Sequence, residues 1–203
     1  MGMSFTFSNI IQFFSGISSI LLAFFMIMAS FFNQDIKSIF YLIGAFISYL
    51  FNAVALKPAL GNKIEDGQRS PICDIIDIPL NHQYDGPNGN SVFIAYTLLY
   101  LMIPMFENNE INFPLMISIL TLFGMDAFYK LNNKCTSSFG VVIGGLVGGL
   151  VGTGYYYLLS NFNLKEFTYF GERGSNNSET CSMPNKQTFK CAVYKNGELI
   201  RTL

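Results

Sequence analysis

Apolar residues in this chain fall in long blocks, separated by a few short polar turns and one long polar interval. The blocks run roughly over Ile10–Phe32, Ile36–Leu56, Ser91–Met105, Ile111–Leu131 and Phe139–Leu159. A helix needs about 20 mostly apolar residues to cross a bilayer core of about 30 Å, and four of the five blocks meet that length outright. The third meets it if its helix begins near Pro87, so that the span covers about 88–105. Ile10–Phe32 is apolar all round, with no polar stripe to turn toward water, which favours membrane spans over the buried helices of a soluble globule. The pattern therefore predicts an all-α polytopic membrane protein, with a five-span helical bundle over residues 1–160 and a small soluble tail over 161–203.

The connections fix which ends share a membrane face. Asn33–Asp35 leaves room only for a tight antiparallel turn, and Phe106–Asn112 is also short, carrying Glu107 and Glu110. Five crossings then put the N-terminus, the Lys57–Ser91 loop and the Lys130–Ser138 turn on one face, and the short turns and the tail on the other. Lys57, Lys63, Arg69, Lys130 and Lys134 lie on the first face, against Lys37, Lys165 and Arg173 on the second, so the positive-inside rule favours a cytoplasmic first face. The tail would then be non-cytoplasmic. There Cys181 and Cys191 are candidates for a disulfide, and Asn176-Asn177-Ser178 is a glycosylation sequon. Within the tail, Thr188–Tyr194 alternates as a strand does, Lys195–Glu198 holds an Asn-Gly turn and Leu199–Leu203 can return as a hairpin. A lone hairpin is barely stable in water, so a disulfide or a partner protein is expected to support it.

Composition sharpens the membrane reading. Hydrophobic residues make up 51% of the 203 and charged residues 12%, with 21 phenylalanines, too few charges to solvate a soluble domain. A net charge of −1 and the lack of any basic run argue against a nucleic-acid partner. Met1–Asn9 carries no Lys or Arg, and the apolar run after it is too long for a signal-peptide core. Gly2 with Thr6 fits the loose N-myristoylation pattern. One histidine and four cysteines without C-x-x-C spacing predict no metal site. Asp126 is the carboxylate within the spans and is expected to face Lys130, one helical turn along; so little intramembrane charge disfavours a transporter or channel. The Phe-, Ile- and Asn-rich composition is of a kind expected from an AT-rich genome, which suggests a viral inner membrane or an organellar complex.

In the last span Gly140, Gly144, Gly148 and Gly152 recur at every fourth residue, with Gly145 and Gly149 beside them. That spacing lines the glycines along one helix face, where another backbone can approach closely. The expected use is packing within the bundle, with a homodimer face as the alternative.

The long interval Lys57–Ser91 holds four of the seven prolines and the single histidine, His82. Its end, Asp85-Gly86-Pro87-Asn88-Gly89-Asn90-Ser91, runs straight into an apolar helix. It resembles the Pro-Ser-Gly-His motif that opens a helix in the type 2 phosphatidic acid phosphatase family. Lys63 followed by Arg69-Ser70-Pro71 is similar to that family's first motif, and Lys130–Gly145, leading into the glycine-rich span, sits where its third motif would be. The resemblance covers residues 10–159 and leaves the tail outside. It implies a phosphate site made by Lys63, Arg69, Lys130 and Lys134, with the free N–H groups of the helix opening at Asn88, Gly89 and Asn90 aimed into it. A lipid phosphate is the implied occupant, and ordinary interfacial charges beside lipid headgroups are the plainer reading.

The family's chemistry needs a histidine nucleophile, an acidic partner to orient it and a second histidine as general acid. Here Asn90 stands at the general-acid position, Cys135 or Thr136 at the nucleophile and Phe139 or Gly140 at the orienting acid. The sequence thus predicts a degenerate member without catalytic residues or cofactor, apart from a bound phospholipid. It would be a structural or scaffold subunit that meets other membrane subunits through its tail. The alternative is an active divergent lipid phosphatase using Cys135 as a thiolate or His82 as an acid. Asp74, Asp77 and Asp85 lie in the same loop as solvated partners of its basic residues.

Overall fold

The computed structural model describes residues 6–63, 73, 84–171, 192–195 and 198–202. Helix α1 (Phe7–Asn33) starts at Thr6, whose hydroxyl accepts from the Asn9 N–H at 3.4 Å. It stops where Gln34 turns left-handed (φ 54°), and the Gln34 and Asp35 N–H groups donate back to the Phe31 and Ser30 carbonyls. That ending satisfies carbonyls which the helix itself leaves open. α2 (Lys37–Phe51) runs back and continues through a π-helical turn, Asn52–Leu56, into the short α3 (Lys57–Leu60). α4 (Gly89–Glu107), α5 (Phe113–Asn132) and α6 (Ser138–Asn161) complete the bundle. Asn88, Asn112 and Ser137 cap them, each side-chain oxygen accepting from an N–H of the first turn.

Among the described residues, five helices are long and apolar enough to cross a membrane: Asn9–Asn33, Lys37–Leu60, Gly89–Glu107, Phe113–Asn132 and Ser138–Asn161. They coincide with the five apolar blocks to within a few residues, in keeping with a multi-pass integral membrane protein. The third reaches spanning length because Asn88 caps its helix ahead of the apolar run.

The bundle is apolar outside, and its interior mixes large apolar side chains such as Ile94, Leu101 and Met105 with buried tyrosines, glycines and polar residues. Phe31, Phe32 and Leu150 are 71–78% exposed, an arrangement suited to lipid and not to water. α4 lies at the centre and packs along α6. Side chains built onto Gly144, Gly148 and Gly152 would come within 2.9 Å of the Asn88 carbonyl, 2.1 Å of the Val92 carbonyl and 2.5 Å of the Tyr96 carbonyl. Both helices step by four residues, so backbone meets backbone along the whole seam. The opposite face of α6 presents Val142, Leu146 and Leu150 outward. The glycine row is therefore used inside the bundle, as the sequence led us to expect.

Toward the other membrane face a layer of tyrosines fills the centre. The Tyr41 and Thr97 hydroxyls share a 2.7 Å hydrogen bond, Tyr96 donates to the Tyr41 carbonyl (3.1 Å), and Tyr155 donates to the Phe40 carbonyl (2.9 Å). Tyr169, beyond α6, donates to the Met26 carbonyl at 2.6 Å, and burial pushes its phenol pKa up, so it stays a donor. Farther along the tail, strands β1 (Ala192–Lys195) and β2 (Glu198–Thr202) pair antiparallel. Cys181, Cys191 and the sequon at Asn176 lie outside the described residues.

Candidate functional site

The sequence Asn88-Gly89-Asn90-Ser91 opens α4, so its polar side chains fan out from one helical turn at the buried end of the loop. α5 contributes Asp126 and Lys130, four residues apart and hence on one face. α1 contributes Ser15, Ser18 and Ser19, at the i, i+3, i+4 spacing that also shares a face. The three sets meet in a single polar knot.

Asp126, 1% exposed, is at its centre. Its Oδ1 accepts from the Ser15 hydroxyl (2.8 Å) and from Asn90 Nδ2 (3.2 Å), and its Oδ2 accepts from Asn88 Nδ2 (3.3 Å). The Lys130 ammonium lies 3.6 Å from Asp126 Oδ1 and donates to Asn88 Oδ1 at 3.0 Å. Asn90 also donates to the Ser15 carbonyl (3.0 Å) and the Ser18 hydroxyl (3.1 Å), and accepts from the Ser19 hydroxyl (3.0 Å). Asn88 Nδ2 reaches Ser91 Oγ at 2.8 Å. A carboxylate removed from water this completely is tolerated only with such a set of donors.

The remaining spans are tied to the same turn through its backbone. Asn52, fully buried in the π-helical turn, donates to the Pro87 carbonyl (3.3 Å). The Asn88 N–H donates to the Gly140 carbonyl at the start of α6 (3.0 Å), and the Thr136 hydroxyl donates to the Asp85 carbonyl (2.7 Å). Gly86 and Gly140 pass so closely that a side chain on either would touch the other's Cα. All five spans thus converge on residues 85–91.

Of the expected phosphate ligands, the described residues include Lys63, Lys130 and Lys134. Lys130 turns inward to Asp126 and Asn88. Lys63 is exposed and bridges to Tyr84, and Lys134 is exposed at a left-handed turn (φ 55°). Gly89 is buried in the first turn of α4. Arg69, His82, Asp74 and Asp77 lie outside the described residues, and Phe139 faces outward at 60% exposure. Cys135 is joined to Cys73 of the long loop by a disulfide with Cα atoms 5.3 Å apart, within the usual range, so it holds no thiolate.

Sequence reasoning missed Ser15, Ser18, Ser19, Asn52 and Cys73. The serines did leave a signal, a polar i, i+3, i+4 triplet inside an otherwise apolar block. Asn52 and Cys73 left none, because their partners are backbone or distant in sequence.

A second feature lies between α1 and α5, over α4. It is a groove of about 720 Å³, lined by apolar side chains from Phe14 to Ala29 on α1 and from Leu115 to Met125 on α5. No protein-family model matches the chain, and no curated protein or solved structure matches it.

Proposed function

We propose that this is a non-catalytic membrane protein, a structural or scaffold subunit of a membrane assembly. Its bundle resembles that of the type 2 phosphatidic acid phosphatases, with the phosphate loop converted into the point that joins its helices. One observation carries this reading. Asn90, at the position of the family's general acid, uses both ends of its amide to bind α1 and Asp126. The inward turn of Lys130 and the disulfide at Cys135 support it, since each withdraws a group that phosphoryl transfer would need. The paired strands of the tail are the proposed contact for other subunits, and a viral inner membrane or an organellar membrane is the proposed setting.

The loop face is proposed to be the non-cytoplasmic one, opposite to the orientation favoured by counting charges. Lys57 is 3% exposed and Lys130 is ion-paired inside the bundle, so neither reports on the membrane surface. Without them the count is even, with Lys63, Arg69 and Lys134 against Lys37, Lys165 and Arg173. The Cys73–Cys135 disulfide supports this orientation, because such bonds persist on the oxidising side.

Phosphate release from phosphatidic acid by the purified protein in detergent tests the functional reading. No release above a protein-free control is expected. Turnover that disappears in Cys135→Ala or Lys130→Ala would establish the phosphatase instead.

A further inference from the structure

We infer that Lys130 and Asn88 join covalently, in an isopeptide bond between α5 and α4, with Asp126 as the group that moves the protons. This is a single self-modification and not turnover of a substrate, and it stands on the geometry of the polar knot whatever the role of the loop. The chemistry exchanges the nitrogen of a side-chain amide for that of a lysine. It needs an amine beside the amide carbon, a carboxyl group touching both partners, and surroundings closed to water.

The knot supplies each of these. Lys130 Nζ donates to Asn88 Oδ1 at 3.0 Å, and that oxygen is one C=O bond from the amide carbon Cγ. Nζ is therefore no more than about 4.2 Å from Cγ, a small shift short of the roughly 3–3.5 Å at which reacting atoms meet. Asp126 touches both ends of the exchange. Its Oδ1 is 3.6 Å from Nζ, and its Oδ2 accepts from the leaving nitrogen, Asn88 Nδ2, at 3.3 Å. Asn88 Oδ1 also accepts from the Asn90 N–H at 3.3 Å, at the N-terminus of α4, where negative charge developing on that oxygen is stabilised. Asp126 is 1%, Asn88 8% and Lys130 9% exposed, so water does not compete with the amine. Asn90 meets Asp126 as well, but its amide is bonded to Ser15, Ser18 and Ser19 and not to an amine.

A proton passes from the Lys130 ammonium to Asp126, and the Nζ lone pair attacks Cγ of Asn88. Asp126 returns that proton to Nδ2 and takes another from Nζ as the Cγ–Nδ2 bond breaks. An amide between Nζ and Cγ remains, ammonia leaves, and Asp126 ends as the neutral acid. The exchange needs neither oxidant nor reductant. Escape of ammonia makes it one-way, and it replaces a buried ion pair, costly to remove from water, by a neutral amide.

Intact mass spectrometry of the full-length protein, reduced to open the Cys73–Cys135 bond, is the first test. A mass below that of the sequence by one ammonia is expected. Closure of Asn88 onto the Gly89 backbone as a succinimide would lose the same mass, so the partner has to be located. A protease site placed in the Phe106–Asn112 turn separates α4 from α5. Under reducing and denaturing conditions the two fragments should stay joined, and peptide sequencing should find Asn88 linked to Lys130. Lys130→Arg should show the full mass and release both fragments. Asp126→Asn, which keeps the shape of the acid without its exchangeable carboxyl proton, should do the same. A wild type of full mass whose fragments separate overturns the proposal, as does ammonia loss confined to Asn88 and Gly89. A link that forms as completely in Asp126→Asn overturns the role given to Asp126. The wild-type measurements decide on the bond without any substitution, so a variant that fails to fold does not weaken the test.

Discussion

Asn90 and Asp126 are hydrogen-bonded at 3.2 Å across two helices, deep enough that the carboxylate is almost wholly removed from solvent. One residue belongs to the loop motif and the other lies near the end of a predicted span. Their contact, with Lys130 and the serines of α1 around it, turns what reads in sequence as a phosphate loop into a joint between helices. Four consequences can be measured.

Asp126→Ala leaves the Lys130 ammonium buried without its counter-ion. Truncating one partner of a buried pair typically costs about 3–5 kcal/mol. The variant should unfold in detergent at markedly lower denaturant than the wild type. Asp126→Ala combined with Lys130→Met should be less destabilised than Asp126→Ala alone, because the stranded charge is gone. Equal losses in the two variants would mean that the pair is not buried as described.

The glycine seam predicts a contrast within one helix. A Cβ at Gly148 would sit 2.1 Å from the Val92 carbonyl, whereas at Gly154 it meets nothing within 4 Å. Gly148→Leu should therefore separate α4 from α6, with a loss of about 1–3 kcal/mol or more as the backbones move apart. Gly154→Ala should be neutral or slightly stabilising, since alanine is favoured over glycine in a helix by up to about 1 kcal/mol. Thermal unfolding of the two variants beside the wild type checks both.

Much of this architecture was legible in the chain. The five apolar blocks gave the spans, since in a bilayer length and hydropathy alone decide them. The four-residue glycine spacing gave the face of α6, and the i, i+4 spacing gave the Asp126–Lys130 pair. The direction of Lys130 was not legible. A lysine at a helix end beside a polar turn reads as an interfacial charge, and only the position of Asn88 on another helix shows that it points inward. Nor was the partner of Cys135, because a bond across 62 residues depends on where a loop comes to rest. The serine triplet of α1 marks one helix face in the sequence, but its partners Asp126 and Asn90 lie on other helices and only the fold brings them together.

The disulfide makes a prediction about sidedness. Without reductant, Cys73 and Cys135 should resist maleimide labelling in the denatured protein and become reactive after reduction. A tag placed in the Lys57–Ser91 loop should be reached in intact vesicles from the non-cytoplasmic side. A loop reached from the cytoplasm, with both thiols free in freshly isolated membranes, would restore the orientation suggested by charge counting.

Asn90 acts as a structural link between helices, and a double-mutant cycle between Asn90 and Asp126 tests that role directly. Unfolding free energies of Asn90→Ala, Asp126→Ala and the double variant, measured in one detergent, give the coupling between them. We predict a favourable coupling of about 0.6 kcal/mol or more, the scale found for polar pairs inside membrane proteins. Additive losses, with Asn90→Ala as stable as the wild type, would contradict the account and return the loop to the role of a site kept for a ligand.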